Sequence, residues 1–256
     1  MKAIKFSLLG LFFSFFLLQG SYAQSTDILE NNINNWFFIH TTLKFDKHFT
    51  FGNELHIRRD QWLKNWNTFI ERPYLTYHTN PNLDLTVGYS YIRSWPIDPL
   101  PSHGPSNESN IWEQALLKHK IGEQIEVSHR YRQEHRFVDH WDSIGNDWQV
   151  NGTDFKNRFR YRLTITAPIV KFNDKQNLYL NFFDEMWINQ RKSLLFSSFG
   201  RNWLYGGVGF HYNKQGSVEL AYMHQFDAAS NSRFTSMHLI QLSLSYAFDI
   251  SKKEEK

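Results

Sequence analysis

Cysteine does not occur in the 256 residues, which removes disulfide frameworks and thiol chemistry from consideration. A surplus of one charge sign is missing as well. Once Lys2 and Lys5 leave with an N-terminal leader, basic residues, 28 in the full chain, outnumber the 25 acidic ones by a single charge. A polyanion binder needs a basic excess to neutralise phosphates, so nucleic acid is not an expected partner. Proline is scarce: there are seven, and Pro96, Pro99, Pro101 and Pro105 share one short stretch. That density excludes a strand over residues 95–110 and marks a surface loop. Beyond residue 18 no apolar run approaches the roughly 18 to 20 residues of a spanning helix, which excludes a helical membrane protein. There is no phosphate-cradling glycine loop, because Gly206-Gly207-Val208-Gly209 lies in an alternating segment where small residues relieve crowding.

What is present begins with an export signal. Lys2 and Lys5 precede an apolar run over residues 6–18, and Ser21-Tyr22-Ala23 supplies a small-x-small cleavage site. Residues 1–23 therefore read as a secretory leader, with the mature chain starting near Gln24. Aromatic residues make up 17% of the chain, as 23 Phe, 12 Tyr and 9 Trp, although mean hydropathy is negative at -0.53. A transmembrane β-barrel has this profile, since alternation hides its apolar face from averages while aromatic girdles mark both membrane interfaces. A secreted β-sandwich would alternate too, but rarely needs strands this long.

Period-two alternation recurs along the chain. Leu83, Leu85, Val87, Tyr89 and Tyr91 share one face, with Asp84, Thr86, Gly88 and Ser90 on the other. Such segments cover residues 37–45, 49–57, 69–78, 83–91, 112–120, 124–137, 155–167, 178–188, 201–212, 218–226 and 237–248. Short turns at residues 121–123 and 213–216 alternate with longer loops at 138–154 and 228–233, the periplasmic-versus-external asymmetry of bacterial barrels. Eleven segments conflict with the even strand number of single-chain bacterial barrels. A poorly patterned first strand within residues 25–35 would make twelve, and one over-assigned segment would make ten. The expected fold is all-β: a transmembrane antiparallel up-and-down barrel of twelve strands, with a segment at 24–35, the barrel at 36–248 and a charged tail at 249–256.

The last segment carries its own signal. Ile240, Leu242, Leu244, Tyr246 and Phe248 alternate with Gln241, Ser243, Ser245 and Ala247. An apolar face ending in Tyr246 and Phe248 resembles the C-terminal signal of outer-membrane barrels. Leu242, Leu244, Tyr246 and Phe248 are thus the candidate assembly-signal residues, with the barrel assembly machinery and outer-membrane lipids as expected partners. The expected location is the bacterial outer membrane.

The candidate functional residues form a charged ladder. Along residues 124–137 one face reads Glu126, Ser128, Arg130, Arg132, Glu134 and Arg136, and along 155–167 one face reads Lys156, Arg158, Arg160 and Arg162. A charge facing lipid costs about 2 to 4 kcal/mol near the midplane, so both arrays are expected to point inward. Glu185 is the expected counter-charge on a following strand, with Glu54, Glu113 and Glu219 as further acids. Two readings follow. Long arginines bridging to carboxylates would close the interior as a structural core. Alternatively, they would line a passage selective for a small anionic solute.

The runs His129-Arg-Tyr-Arg-Gln-Glu-His-Arg-Phe137 and Asn157-Arg-Phe-Arg-Tyr-Arg-Leu163, then Asp184-Glu185 and Phe199-Gly-Arg-Asn-Trp-Leu-Tyr-Gly-Gly-Val208, resemble the domain of unknown function 2490 family. The resemblance spans residues 36–248 and implies an exported outer-membrane barrel and no particular reaction. A lipid-acting hydrolase or acyltransferase stays open as an alternative, because barrel enzymes place His, Ser and carboxylate groups at the outer rim or on the lipid face. No local motif supplies nucleophile, base and orienting group together, so no catalytic or cofactor-binding residue is assigned. His140, flanked by Asp139 and Asp142, fits either a metal ligand or a solvated loop, and no metal site is assigned.

Overall fold

The computed structural model describes residues 27–96, 104–144, 147–190, 197–230 and 233–251. The leader, residues 24–26 and the end of the tail lie outside this set. Eleven strands follow one another: β1 (Asp27–Lys44), β2 (Phe49–Asp60), β3 (Asn65–Asn80), β4 (Leu83–Ser94), β5 (Ser106–Ile121), β6 (Ile125–Ile144), β7 (Asp147–Lys171), β8 (Asn177–Gln190), β9 (Ser197–His211), β10 (Gly216–Ser230) and β11 (Arg233–Asp249). Each pairs antiparallel with its neighbour, and β1 meets β11 to close the barrel. No helix among the described residues is long and apolar enough to cross a membrane, which bears only on helices.

Closure corrects the expected strand number. β1 and β11 run parallel, from Asp27↔Arg233 to Lys44↔Asp249, with one irregularity between Asn31 and Asn34. An even count is forced only when every pair is antiparallel; one parallel seam admits an odd count. Residues 27–35 are therefore not a separate twelfth strand. They are the first half of β1, whose polar side chains hide a backbone ladder that sequence alternation cannot reveal. At the far end the backbone N–H of Ile250 donates to the Lys44 carbonyl at 3.1 Å, tying the chain end to the seam.

Several expected loops are strand instead. β5 begins at Ser106, six residues before the alternation becomes apolar, and its first rungs pair with β4 from Ser94↔Ser106. The expected loop at 138–154 is largely the end of a hairpin: β6 and β7 continue their ladder to Ile144↔Asp147. β5 pairs with β6 only as far as Val138, and β8 pairs with β7 only as far as Asn157, so this hairpin stands beyond the rim of the barrel. There both faces meet solvent, and polar letters such as Asp139-His140-Trp141-Asp142 no longer report a loop.

Side chains sort by face as the pleat requires. Val87, Ile111, Phe182, Val208, Leu220 and Phe248 point outward and are exposed. Trp36, Ile70, Trp112, Trp187, Trp203, Met223 and Leu239 point inward and are buried. Four of the nine tryptophans thus fill the interior rather than a girdle. Space for them comes from facing small residues. A β-carbon on Gly88 would collide with the indole of Trp112, and in the same way one on Gly209 would collide with a tyrosine, Tyr179.

Candidate functional site

The charged ladder lies inside the barrel, and its geometry follows from register. Glu134 of β6 stands beside Arg158 of β7, Arg132 beside Arg160, and Arg162 beside Glu185 of β8. Arg132, Glu134, Arg160 and Glu185 are all at most 3% exposed. Glu185 accepts from three guanidiniums: Arg130 Nη2 at 2.5 Å, Arg160 Nε at 2.7 Å, and Arg162 through Nε at 3.0 Å and Nη2 at 2.5 Å. Glu134 accepts Arg158 Nε at 2.6 Å on one oxygen and Arg160 Nη1 at 2.8 Å on the other. Arg160 therefore bridges both acids. Toward the rim of the long connections, Arg136 makes a two-pronged pair with Glu108 at 2.7 and 2.6 Å. Planar forks matched to carboxylates give short, charge-assisted bonds of this kind.

Other ladder residues lie elsewhere. Glu126 is at the opposite rim, solvent-exposed, with Lys120 Nζ 3.9 Å away. Glu113 faces outward, where His135 Nε2 lies 3.2 Å from its Oε1 and His135 Nδ1 lies 2.9 Å from Asn157 Oδ1. Glu219 faces inward, and among the described residues no arginine pairs with it; Tyr205 donates its hydroxyl proton to it, and Asn181 reaches both its oxygens at 3.2 Å. His140 sits on the projecting hairpin between Asp154 and Asp142, each at 3.1 Å. The hydrogen bond and charge of Asp154, with Asp142 beside it, raise its pKa above the ordinary value. The closing-strand residues Leu244, Tyr246 and Phe248 face outward, and the Tyr246 and Phe248 rings touch at 4.7 Å between centroids.

Part of the core escaped the sequence pattern. Arg72 of β3 donates to Glu54 Oε2 at 2.6 Å and to Ser90 Oγ at 2.9 Å, and Ser90 also accepts Trp112 Nε1 at 3.0 Å. β3 reads irregularly because Glu71-Arg72-Pro73 interrupts its alternation with charges on both faces. The tryptophans were a visible signal, since an indole is a partner for a buried guanidinium. Arg58 stacks 3.7 Å from the Trp36 centroid, Arg132 4.0 Å from Trp112, and Arg160 3.8 Å from Trp187. Trp36 and Trp187 in turn pack on Trp203, at 5.4 and 4.6 Å. The Arg–Trp pairs thus join neighbouring strands, and Trp36 of β1 on Trp203 of β9 joins strands that are not neighbours.

This arrangement pairs buried charge and stacks aromatic rings across the interior. The model of the family described as "Protein of unknown function (DUF2490)" matches residues 33–235, which includes β6, β7 and the Glu185 strand and stops before the closing aromatic residues. No curated protein and no solved structure matches the chain. The charged core therefore lies within the matched region, and the chain belongs to the DUF2490 family.

Proposed function

We propose that the protein is an outer-membrane β-barrel whose Arg/Glu/Trp interior is a structural plug. One observation carries the reading. Burial is inverted relative to a water-soluble protein: Glu134 and Glu185 are 0% exposed, while Val87, Leu220 and Phe182 are 61%, 59% and 48% exposed. Apolar exposure on this scale around a closed sheet suits hydrocarbon as the outer solvent. Exposed Trp62 and Trp66 near one rim and Phe45, Phe172 and Tyr212 near the other stand where interfacial girdles would be. Membrane lipids and the assembly machinery are then its partners, the latter reading Leu242, Leu244, Tyr246 and Phe248. Buried residues fill the interior, so this barrel resists solute flow.

A second reading has its own support. Six arginines, Arg130, Arg132, Arg136, Arg158, Arg160 and Arg162, stand on the inward face of the adjacent strands β6 and β7, which suits a passage for anions. Cell fractionation and single-channel recording test both. The plug reading expects recovery in the outer membrane, slower gel migration after heating, and no steady conductance. Recovery in the soluble periplasm overturns the membrane reading, and anion-selective currents overturn the plug.

A further inference from the structure

The central layer of the interior is not neutral. Arg58, Arg72, Arg130, Arg132, Arg158, Arg160 and Arg162 face three carboxylates, Glu54, Glu134 and Glu185; Arg136 and Arg201 are matched by Glu108 and Asp227, and the other buried acids are held elsewhere, Asp60 by the Gln61 N–H, Asp84 by Lys118 and His78, and Glu219 by Tyr205 and Asn181. Two arginines stand apart. Arg132 meets only the amide oxygen of Gln114, at 2.8 and 3.0 Å, and the face of Trp112. Among the described residues Arg58 meets the faces of Trp36 and Trp203. No carboxylate among the described residues pairs with either.

Their hydrogen-bond inventory is also incomplete. Arg58 Nε, Arg132 Nη1 and Arg130 Nε are buried with no acceptor in the protein, as are the indole N–H groups of Trp36, Trp187 and Trp203. Guanidinium and indole nitrogens only donate, so another donor cannot satisfy them. The acceptors without a hydrogen bond nearby, Asn34 Oδ1, Gln225 Oε1 and Asp227 Oδ1, are fewer, and the one charged among them, Asp227 Oδ1, already lies 2.6 Å from Arg201 Nε. Stacking on indoles offsets part of the cost of a buried cation, yet it supplies neither counter-charge nor acceptor. Arg58 and Arg160 both lie over Trp203, at 5.6 and 5.8 Å, Arg132 stands beside Arg160 in the register, and Arg72 shares Ser90 with Trp112, the ring under Arg132. Arg58 and Arg132 therefore flank one electropositive region from opposite walls.

We propose that this region is a buried binding site for a small oxyanion, held between Arg58 and Arg132 and walled by Arg72 and Arg160. The inference rests on the plug reading, because an open pore would solvate the same arginines. An oxyanion such as inorganic phosphate provides several acceptors and at least one negative charge, which are the two things the layer lacks. The site would keep an anion as part of the fold rather than pass it.

The test uses the full-length protein refolded in detergent, with inorganic phosphate as the probe and a bulky sulfonate buffer holding ionic strength constant. In wild type the unfolding midpoint should rise with phosphate and saturate, and equilibrium dialysis with labelled phosphate should retain about one phosphate per barrel. Arg132→Met should invert with conditions. Without phosphate it removes an uncompensated buried cation and should unfold at or above the wild-type midpoint; with saturating phosphate it should fall below it. Arg58→Met should show the same crossover. Parallel phosphate responses in wild type and both variants, with no retained label, overturn the site, since salts stabilise proteins generally by exclusion from their surface. If both variants fail to fold, the dialysis stoichiometry of wild type decides alone. A conducting barrel refutes the plug reading, whereas a silent barrel that retains no phosphate refutes only the anion site.

Discussion

Replacing Glu185 by Gln tests whether the charged interior holds the barrel together. The side chain is fully buried and accepts four hydrogen bonds, 2.5 to 3.0 Å long, from Arg130, Arg160 and Arg162. Glutamine keeps the shape and one carbonyl oxygen, so packing survives while the counter-charge does not. Arg160 retains Glu134, at 2.8 Å, but Arg130 and Arg162 lose their only ion-pair partner among the described residues. Removing one partner of a buried pair costs about 3 to 5 kcal/mol, against about 0.2 to 1 kcal/mol for a solvent-exposed pair. Three dependent arginines place Glu185→Gln at or above the lower end of the buried range, so a loss of at least about 3 kcal/mol is expected. The assay is urea unfolding of refolded protein in detergent micelles, read by tryptophan fluorescence, with refolding confirmed at each midpoint. Adding Arg162→Met should recover part of the loss, because it removes one of the stranded cations; a coupling of about 0.5 to 3 kcal/mol is expected between the two sites. A loss below about 1 kcal/mol, or strict additivity of the two changes, would show that water reaches these groups and that the plug argument fails.

Gly88→Leu places a branched side chain against the indole of Trp112, itself pinned by Ser90 and Arg132, and should cost about 1 to 3 kcal/mol in the same urea assay. His140 should titrate above its ordinary value of 6.5 in NMR, because Asp154 and Asp142 favour the protonated ring. Its contribution to the projecting hairpin is then complete below 6.5 and lost as pH rises through the higher folded value, so proteolysis at the hairpin tip should quicken on the alkaline side. Phe248→Asp puts a charge on the outward face of the closing strand and should lower the amount of assembled barrel without changing export; unchanged assembly in membrane fractions would remove Phe248 from the proposed signal. Epitopes inserted at residue 25 and at the C-terminus should differ in accessibility on intact cells, the first labelled and the second protected.

The legible parts of the fold were those where an outward apolar face alternates with a different inward one. β4, β10 and β11 alternate cleanly because each carries outward Leu, Val, Tyr or Phe over inward residues that are mostly small or polar, with Ile92, Met223 and Leu239 the apolar ones. The Arg ladder of β6 and β7 was legible for the same reason, as charge confined to one face. Where that contrast lapses, the pattern disappears. β3 carries Glu71 outward and Arg72 inward, so the residue that anchors Glu54 went unseen. The ends of β6 and β7 stand beyond the rim with solvent on both sides and read as loop. The interior tryptophans were counted toward girdles, because composition cannot tell an indole stacked on a guanidinium from one at an interface.

Strand parity shows why closure lies beyond pattern reading. Alternation tells which face a residue takes, but the direction of the last pair is set by which edges meet. Here β1 and β11 both run from the rim of the long connections to the rim of the short turns, ending together at Lys44 and Asp249. An antiparallel seam would have brought both chain ends to one rim; a parallel seam sends them to opposite rims. If the short turns are periplasmic, the start of β1 is external, and the segment before it must cross the barrier during assembly. The two epitopes probe this consequence of eleven strands directly. Equal protection of both ends on intact cells, with both exposed after permeabilisation, would require an even-stranded closure and would contradict the β1–β11 seam.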